Sequence, residues 1–369
     1  MSSLPPELLD AILSHVFDVK TLKTCSLVAP QLRDSSQRRL FQRLRLSPNS
    51  LAVALALLDN SPRIGAYFTT LHIQLSDKIE WDVLGVLLPK LCAVNECIVN
   101  GPRAAPMREF AALDAIGFWD YVQDHSARHL QIQGLGNLPV HIFYNLLGAT
   151  KSISFDGVGF QGENEAQVPD ASSSLISLHI GRGCLHVARF FAGQSALALH
   201  HLSVIQDLTL FISGYNHLDA STVLSRTAST LKTLQLHCMN VHSEPACLPA
   251  LPVLQRMTLA FDNTSRVDGR HWLVSALTSL LDHPTTQSPR LEQLDIVFDG
   301  TPTLWDDIPG LESVDALLGE HPHHPNISWI LPDSVGAMIR TRMPSTGASN
   351  RLVISTPTRN TLQTDRFPA

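Results

Sequence analysis

The sequence predicts an α/β protein in which three short N-terminal helices precede an irregular solenoid of strands and connectors with a parallel sheet. Three observations carry that expectation. Leu8, Leu9, Ile12, Leu13 and Val16 recur at steps of one, three or four residues, which is the spacing of one side of a 3.6-residue helix. A strand-like unit recurs downstream, clearest at Leu175-x-x-Leu178-x-Ile180, Leu231-x-x-Leu234-x-Leu236, Leu254-x-x-Met257-x-Leu259 and Leu291-x-x-Leu294-x-Ile296. Stretches with helical apolar spacing lie between the copies, so strand and helix alternate.

In the first helix Pro5 and Pro6 suit the opening turn, where a missing N–H costs nothing, and Glu7 sets a negative charge beside the positive end of the dipole. Asp18 is the expected N-cap of a second helix through Leu22 to Val28, and Ala29-Pro30 interrupts the chain before a third over 31–41. Each helix is too short to be stable alone. A packed trio of about 40 residues has little core, so its apolar faces need either a partner or the rest of the chain.

The order Leu4-Pro5-Pro6-Glu7-Leu8-Leu9-x-x-Ile12-Leu13-x-x-Val16, then Leu22, then Cys25-Ser26-Leu27-Val28, then Leu40-Phe41, resembles the F-box motif over its whole length. Leu32-Arg33 stands where that family often has Trp-Arg, and Ala29-Pro30 where Arg or Lys is common. The resemblance implies docking on the Skp adaptor of a cullin-RING ubiquitin ligase through Leu4, Pro5, Leu8, Leu9, Ile12, Leu13, Val16, Leu22, Val28 and Leu32. A helical cap on the larger domain is the alternative that the helices alone leave open.

Leu44-Arg45-Leu46 is a short strand, and Ser47-Pro48 opens a helix over 49–59 that Asn60-Ser61-Pro62 ends. The step from Ser61 through Ile64-Gly65-Ala66-Tyr67-Phe68 to Leu71-His72-Ile73 resembles a linker-to-strand step in the expanded F-box family of mushroom-forming fungi. Weaker copies of the strand unit stand at Leu71-His72-Ile73, Cys97-Ile98-Val99, Leu130-Gln131-Ile132, Ile153-Ser154-Phe155 and Leu208-Thr209-Leu210. From Leu71 through Cys97, Leu130, Ile153, Leu178, Leu208, Leu234 and Met257 to Leu294, the steps are 26, 33, 23, 25, 30, 26, 23 and 37 residues. Most fall in or near the range of about 20–29 residues found in leucine-rich repeats, and the longer ones leave room for inserted loops or helices.

Helical connectors are expected over 81–91, 110–125, 140–147, 221–229, 272–281 and 311–319, and an exposed loop over 161–174. A strand over 326–331, a helix over 335–342 and a strand over 352–354 would cap the array. The asparagine that ends a leucine-rich strand segment is missing from most copies, so the repeats resemble a degenerate leucine-rich-repeat-like solenoid. An ordinary α/β domain would show similar strands. The expected layout is an F-box-like module over 1–46, a linker helix and lead-in strand over 47–70, the solenoid over 71–355 and a frayed tail over 356–369.

Composition, at 44% hydrophobic and 16% charged, is that of a globular chain. Residues 1–46 hold seven Lys or Arg against four Asp or Glu, a net +3, which leaves −9 for the remainder of the −6 total. An acidic large domain argues against a nucleic-acid partner. Cys25, Cys92, Cys97, Cys184, Cys238 and Cys247 form no CxxC pair and are expected to be buried thiols in a reducing compartment. The longest apolar run, over 51–58, is far short of the roughly 20 residues that span a bilayer, so no membrane partner is expected and the chain is placed in the cytoplasm or nucleus.

Candidate chemistry is sparse. His321-Pro322-His323-His324-Pro325 offers three imidazoles, but no Cys or carboxylate stands at ligand spacing and the prolines favour a solvated loop. Asp306-Asp307 are adjacent and point apart on a helix or strand, which suits capping better than acid–base work. Gly134-Leu135-Gly136 and Gly181-Arg182-Gly183 lack the third glycine of a dinucleotide fingerprint and are expected to be turns. Gly193-Gln194-Ser195-Ala196 lacks the second glycine of a nucleophile elbow. No catalytic, cofactor or metal residue is therefore assigned. The expectation is a non-enzymatic substrate-recognition subunit of an SCF-type ligase that binds the adaptor through its first helices and a target protein through its repeats, with a stand-alone repeat scaffold as the alternative.

Overall fold

The computed structural model describes residues 5–76, 78–101, 108–125, 127–136, 138–161, 174–193, 196–239, 247–261, 268–282, 289–298, 308–331 and 333–356. The chain divides into two compact units, Met1–Leu175 and Ile176–Ala369.

The first unit opens with α1 (Pro6–Ser14), α2 (Val19–Val28) and α3 (Pro30–Leu40). Asp18 caps α2 as its sequence position implies, accepting from the Thr21 N–H at 2.8 Å. There follow β1 (Arg43–Leu46), α4 (Leu51–Asn60), a 3-10 turn (Pro62–Tyr67) and β2 (Thr70–Gln74). Beyond them lie α5 (Trp81–Leu87), a 3-10 turn (Leu88–Lys90), β3 (Glu96–Asn100), α6 (Arg108–Ala115), α7 (Phe118–Asp124) and β4 (His129–Gln133). The unit ends with β5 (Leu138–Pro139), α8 (Val140–Ala149), β6 (Ser152–Asp156) and β7 (Phe160–Gln161).

Strands β1, β2, β3, β4 and β6 pair in parallel in that order, while β5 pairs with β7. Each strand alternates sides, and one alternate set packs inward. The innermost row is Leu46, Ile73, Val99, Ile132 and Phe155, aligned strand to strand and fully buried. The segment expected as one helix over 110–125 is broken at Gly117, whose φ of +68° ends α6 and begins α7.

The second unit comprises β8 (Ser177–Ile180), α9 (Leu185–Ala192), α10 (Ala196–Leu202), β9 (Asp207–Ile212), α11 (His217–Thr227), β10 (Thr233–Cys238) and β11 (Arg256–Phe261). It continues through α12 (Asp268–Leu281), β12 (Gln293–Phe298), α13 (Leu311–Glu320), β13 (Asn326–Ile330), α14 (Asp333–Arg342), α15 (Pro344–Ala348) and β14 (Leu352–Ser355). Strands β8 to β14 pair in parallel in chain order. The repeat anchors Leu178, Leu208, Leu234, Met257 and Leu294 stand opposite one another in a single register row, which Ile327 and Leu352 continue. One register position fixes the facing of the whole strand, because a slip of one residue would turn every leucine outward. Stacked rings of Phe261, Phe298 and Trp329, with centroids 5.3 and 5.9 Å apart, close the core at the strand ends.

The cysteine expectation is corrected in part. Cys97, Cys184 and Cys238 are buried, Cys25 is half-buried, and Cys92 and Cys247 are exposed because they fall in connectors instead of on inward strand positions. The acidic pair Asp306-Asp307, the interior of the 161–174 loop and the tail beyond residue 356 lie outside the described residues. Among the described residues no helix is long and apolar enough to cross a membrane.

Candidate functional site

The apolar side of α1 is two adjoining rows with opposite surroundings. Leu9 and Leu13, one turn apart, are buried at 9% and 3% exposure. Leu8 and Ile12, also one turn apart and about 100° round the helix, are 51% and 55% exposed. On α2 the same division holds, with Leu22 inside and Val19, Leu27 and Val28 outside. Phe17, in the link between the two helices, is 82% exposed. Lys20 and Lys23 stand on the exposed side of α2.

The expected contact residues therefore separate into groups. Leu8, Ile12 and Val28 are presented to solvent, Pro5 is exposed, and Val16 and Leu32 are half-buried. Leu9, Leu13 and Leu22 lie inside the trio, and Leu4 lies outside the described residues. Phe17, Val19 and Leu27 join the outward set although the sequence did not single them out as contacts. For Phe17 the signal was an apolar residue in a short interhelical link, where polar residues are usual; Val19 and Leu27, at the two ends of α2, carried none.

Polar and aromatic contacts hold the trio from behind. α3 is polar and buries Ser35 and Ser36, small side chains that let helices approach closely, and the Ser36 hydroxyl has no hydrogen-bond partner among the described residues. Arg39 Nη2 donates to the Ser14 carbonyl at 2.9 Å, placing a cation at the C-terminus of α1. Asp34 pairs with Arg38 at 2.8 Å and accepts from the Tyr67 hydroxyl, which raises the Tyr67 phenol above its usual range. Arg63 Nη2 donates to Gln37 Oε1 at 3.3 Å, and the Thr69 and Thr70 N–H groups donate to the Gln42 carbonyl. Phe41 meets Phe68 edge to face at 6.0 Å.

The strands of the first unit carry a second surface. Their outward positions form a row of Arg45, His72, Ile98, Gln131 and Ser154 and a neighbouring row of Gln74, Asn100, Gln133 and Asp156. Asn100 Nδ2 donates to His72 Nε2 at 2.7 Å, and burial followed by the charge of Arg45 holds the His72 imidazolium below its ordinary range. Two polar atoms on this face, Asn100 Oδ1 and Ser154 Oγ, are buried without a hydrogen-bond partner among the described residues.

The histidine cluster is not a uniformly solvated loop. His321 turns inward at the end of α13 and is buried, with its Nδ1 accepting from the His323 N–H at 3.3 Å, while His323 and His324 are exposed. Among the described residues no group of three His, Cys, Asp or Glu stands at metal-holding distance. Gly134 and Gly183, with φ of +64° and +69°, make the turns expected after β4 and β8.

No protein-family model matches the chain, and no curated protein matches it. Among solved structures it is similar to a chain of the Rad7 and Elc1 complex in yeast, at 14% identity and a TM-score of 0.29, over 84% of this chain and 97% of that one. The class that the strands, connectors and helices define is an α/β repeat protein with an N-terminal helical module.

Proposed function

We propose that this chain is a substrate-recognition subunit of an SCF-type cullin-RING ubiquitin ligase, with α1–α3 docking on the Skp adaptor and a leucine-rich-repeat-like strand surface taking a target protein. The observation that carries this reading is the outward apolar set Leu8, Ile12, Phe17, Val19, Leu27 and Val28, gathered within 21 residues of an F-box-like sequence. Large exposed apolar groups crowded in so short a stretch mark a surface that a partner covers. The chain itself performs no chemistry in this role, and ubiquitin transfer belongs to other subunits.

The test is co-purification with the adaptor. Leu8→Ala with Ile12→Ala removes two solvent-facing side chains, so adaptor capture is lost while the fold survives. Retained capture in that double variant would sink the proposal.

A second reading, a stand-alone scaffold that the trio merely caps, is favoured by the hydrogen bonds tying α3 to the Pro62–Tyr67 turn. Removing residues 1–41, which leaves β1 in its sheet, separates the two. A docking module comes away with the remainder folded, whereas loss of a cap leaves an aggregating chain.

A further inference from the structure

We infer that the strand face of the first unit is a hydrogen-bonding seat for an extended, uncharged, amide-rich segment of a partner protein. This rests on the target-binding half of the proposed function and is independent of adaptor docking.

The register supplies the first argument. Gln74, Asn100, Gln133 and Asp156 occupy one position on four successive strands, so three carboxamides stand side by side at the strand spacing of about 4.8 Å. The neighbouring row adds His72, Gln131 and Ser154, with Ile98 as its apolar member. Charge in the two rows is confined to opposite ends, Arg45 on β1 and Asp156 on β6. The next row on the same face, Arg43, Thr70, Glu96, His129 and Ser152, mixes a cation with a carboxylate, so a segment of one charge sign would meet no uniformly complementary row.

The second argument is the pair of unsatisfied groups. Buried polar atoms are normally hydrogen-bonded, and one left without a partner needs a reason. Ser154 is 9% exposed and its hydroxyl has no partner among the described residues. Asn100 spends its Nδ2 on His72 and leaves Oδ1 as an acceptor in want of a donor. Asn100 Oδ1 thus requires an N–H or O–H, and Ser154 Oγ suits a group that can accept as well as donate. A peptide unit or a carboxamide offers both.

Spacing gives the third argument. Asn100 and Ser154 lie two strands apart across the sheet and two residues apart along it, a separation of about 12 Å that about four extended residues would span. A small molecule with one polar group could satisfy one of the two but not both.

The probes are four labelled eight-residue peptides, one rich in Asn, Gln and Ser, one acidic, one basic and one apolar, titrated into the full chain without adaptor. The amide-rich peptide is expected to bind at least about tenfold more tightly than the others, with little change between low and high salt. Ser154→Ala and Asn100→Ala should each weaken it by about tenfold; Tm stays level or rises for Ser154→Ala, because a group without a partner has been removed, and falls modestly for Asn100→Ala, which also loses the bond to His72. Gln133→Ala, at a half-exposed site, supplies a third variant with the same expected loss of binding.

Equal binding of all four peptides, preference for a charged one, or undiminished affinity in all three variants would overturn the inference. So would a clear fall in Tm for Ser154→Ala, which would make the hydroxyl a structural contact. None of these measurements contains the adaptor, so their failure leaves docking by α1–α3 standing, and failure of docking leaves them standing.

Discussion

Leu8 and Leu9 are neighbours in α1 that face opposite surroundings, the first 51% exposed and the second 9%. Sequence spacing places both on one apolar side, yet only one row of that side is used by the fold. The other is available to a partner. This division makes folding and binding separately measurable.

Leu9→Ala and Leu13→Ala should each destabilise the trio by about 2–5 kcal/mol, the usual cost of emptying a buried leucine site. Leu8→Ala with Ile12→Ala should leave the thermal unfolding midpoint nearly unchanged. In an adaptor complex the same double variant should lose about 2–3 kcal/mol of binding, roughly a hundredfold in Kd. Parallel calorimetry and pull-down on both pairs check the contrast.

Asp315 on α13 anchors the last helix of the second unit. Its carboxylate accepts from the Ser345 N–H at 2.8 Å, the Thr346 N–H at 3.0 Å and the Thr346 hydroxyl at 2.8 Å. Burial opposes its ionisation, but these donors together hold it below the usual aspartate range. Its stabilisation is therefore complete above the unfolded aspartate pKa of about 4 and is lost as pH falls through the lower folded value. Asp315→Ala leaves three donors without their acceptor and should cost about 1–3 kcal/mol near neutrality, measured by denaturant unfolding.

Two histidines work in a different pH window. Burial, reinforced by neighbouring imidazoles, pushes His179 and His201 down to about 4. The unfolded chain, with its histidines near 6.5, binds more protons than the folded one in that interval, so stability is full above about 6.5 and falls as pH drops toward 4. Fully buried His201 alone accounts for a loss of up to about 3 kcal/mol. The unfolding midpoint measured from pH 7 to pH 5 should fall, and His201→Gln should flatten that slope even if it lowers the starting value.

Gly65 marks a close approach. A Cβ built there would lie 2.1 Å from the Lys90 carbonyl oxygen, a backbone atom that cannot move aside cheaply. Gly65→Ala should destabilise the first unit by about 3 kcal/mol or more, whereas Gly136→Ala, with nothing within 4 Å of the added carbon, should change stability by no more than about 1 kcal/mol. Thermal unfolding of the pair is the check.

Much of the strand array was legible in the sequence because each strand needs only two leucine-like residues at a spacing of two, and pairing then aligns Leu71 with Cys97 and Leu234 with Met257. Helices α9 and α10, of eight and seven residues, were missed although Val187, Ala188 and Phe191 stand at helical spacing in α9, because Gly193 divides the stretch. The burial of His321 was hidden by Pro322 and Pro325, which suit a turn equally well whether its first residue points in or out. Within α1 the spacing identified a stripe, but only the position of α3 decides that Leu9 and Leu13 are the covered half. The Asn100 and Ser154 pair had no local signal at all, since their neighbourhood exists only once three strands are in register.

The measurement that bears most directly on the function is the affinity of the purified chain for the Skp adaptor, wild type beside Leu8→Ala with Ile12→Ala, by titration calorimetry. Adaptor docking predicts saturable one-to-one binding for the wild type and a loss of roughly a hundredfold in the double variant, with the unfolding midpoint unchanged. An absence of wild-type binding, or equal affinity for both proteins, would contradict it.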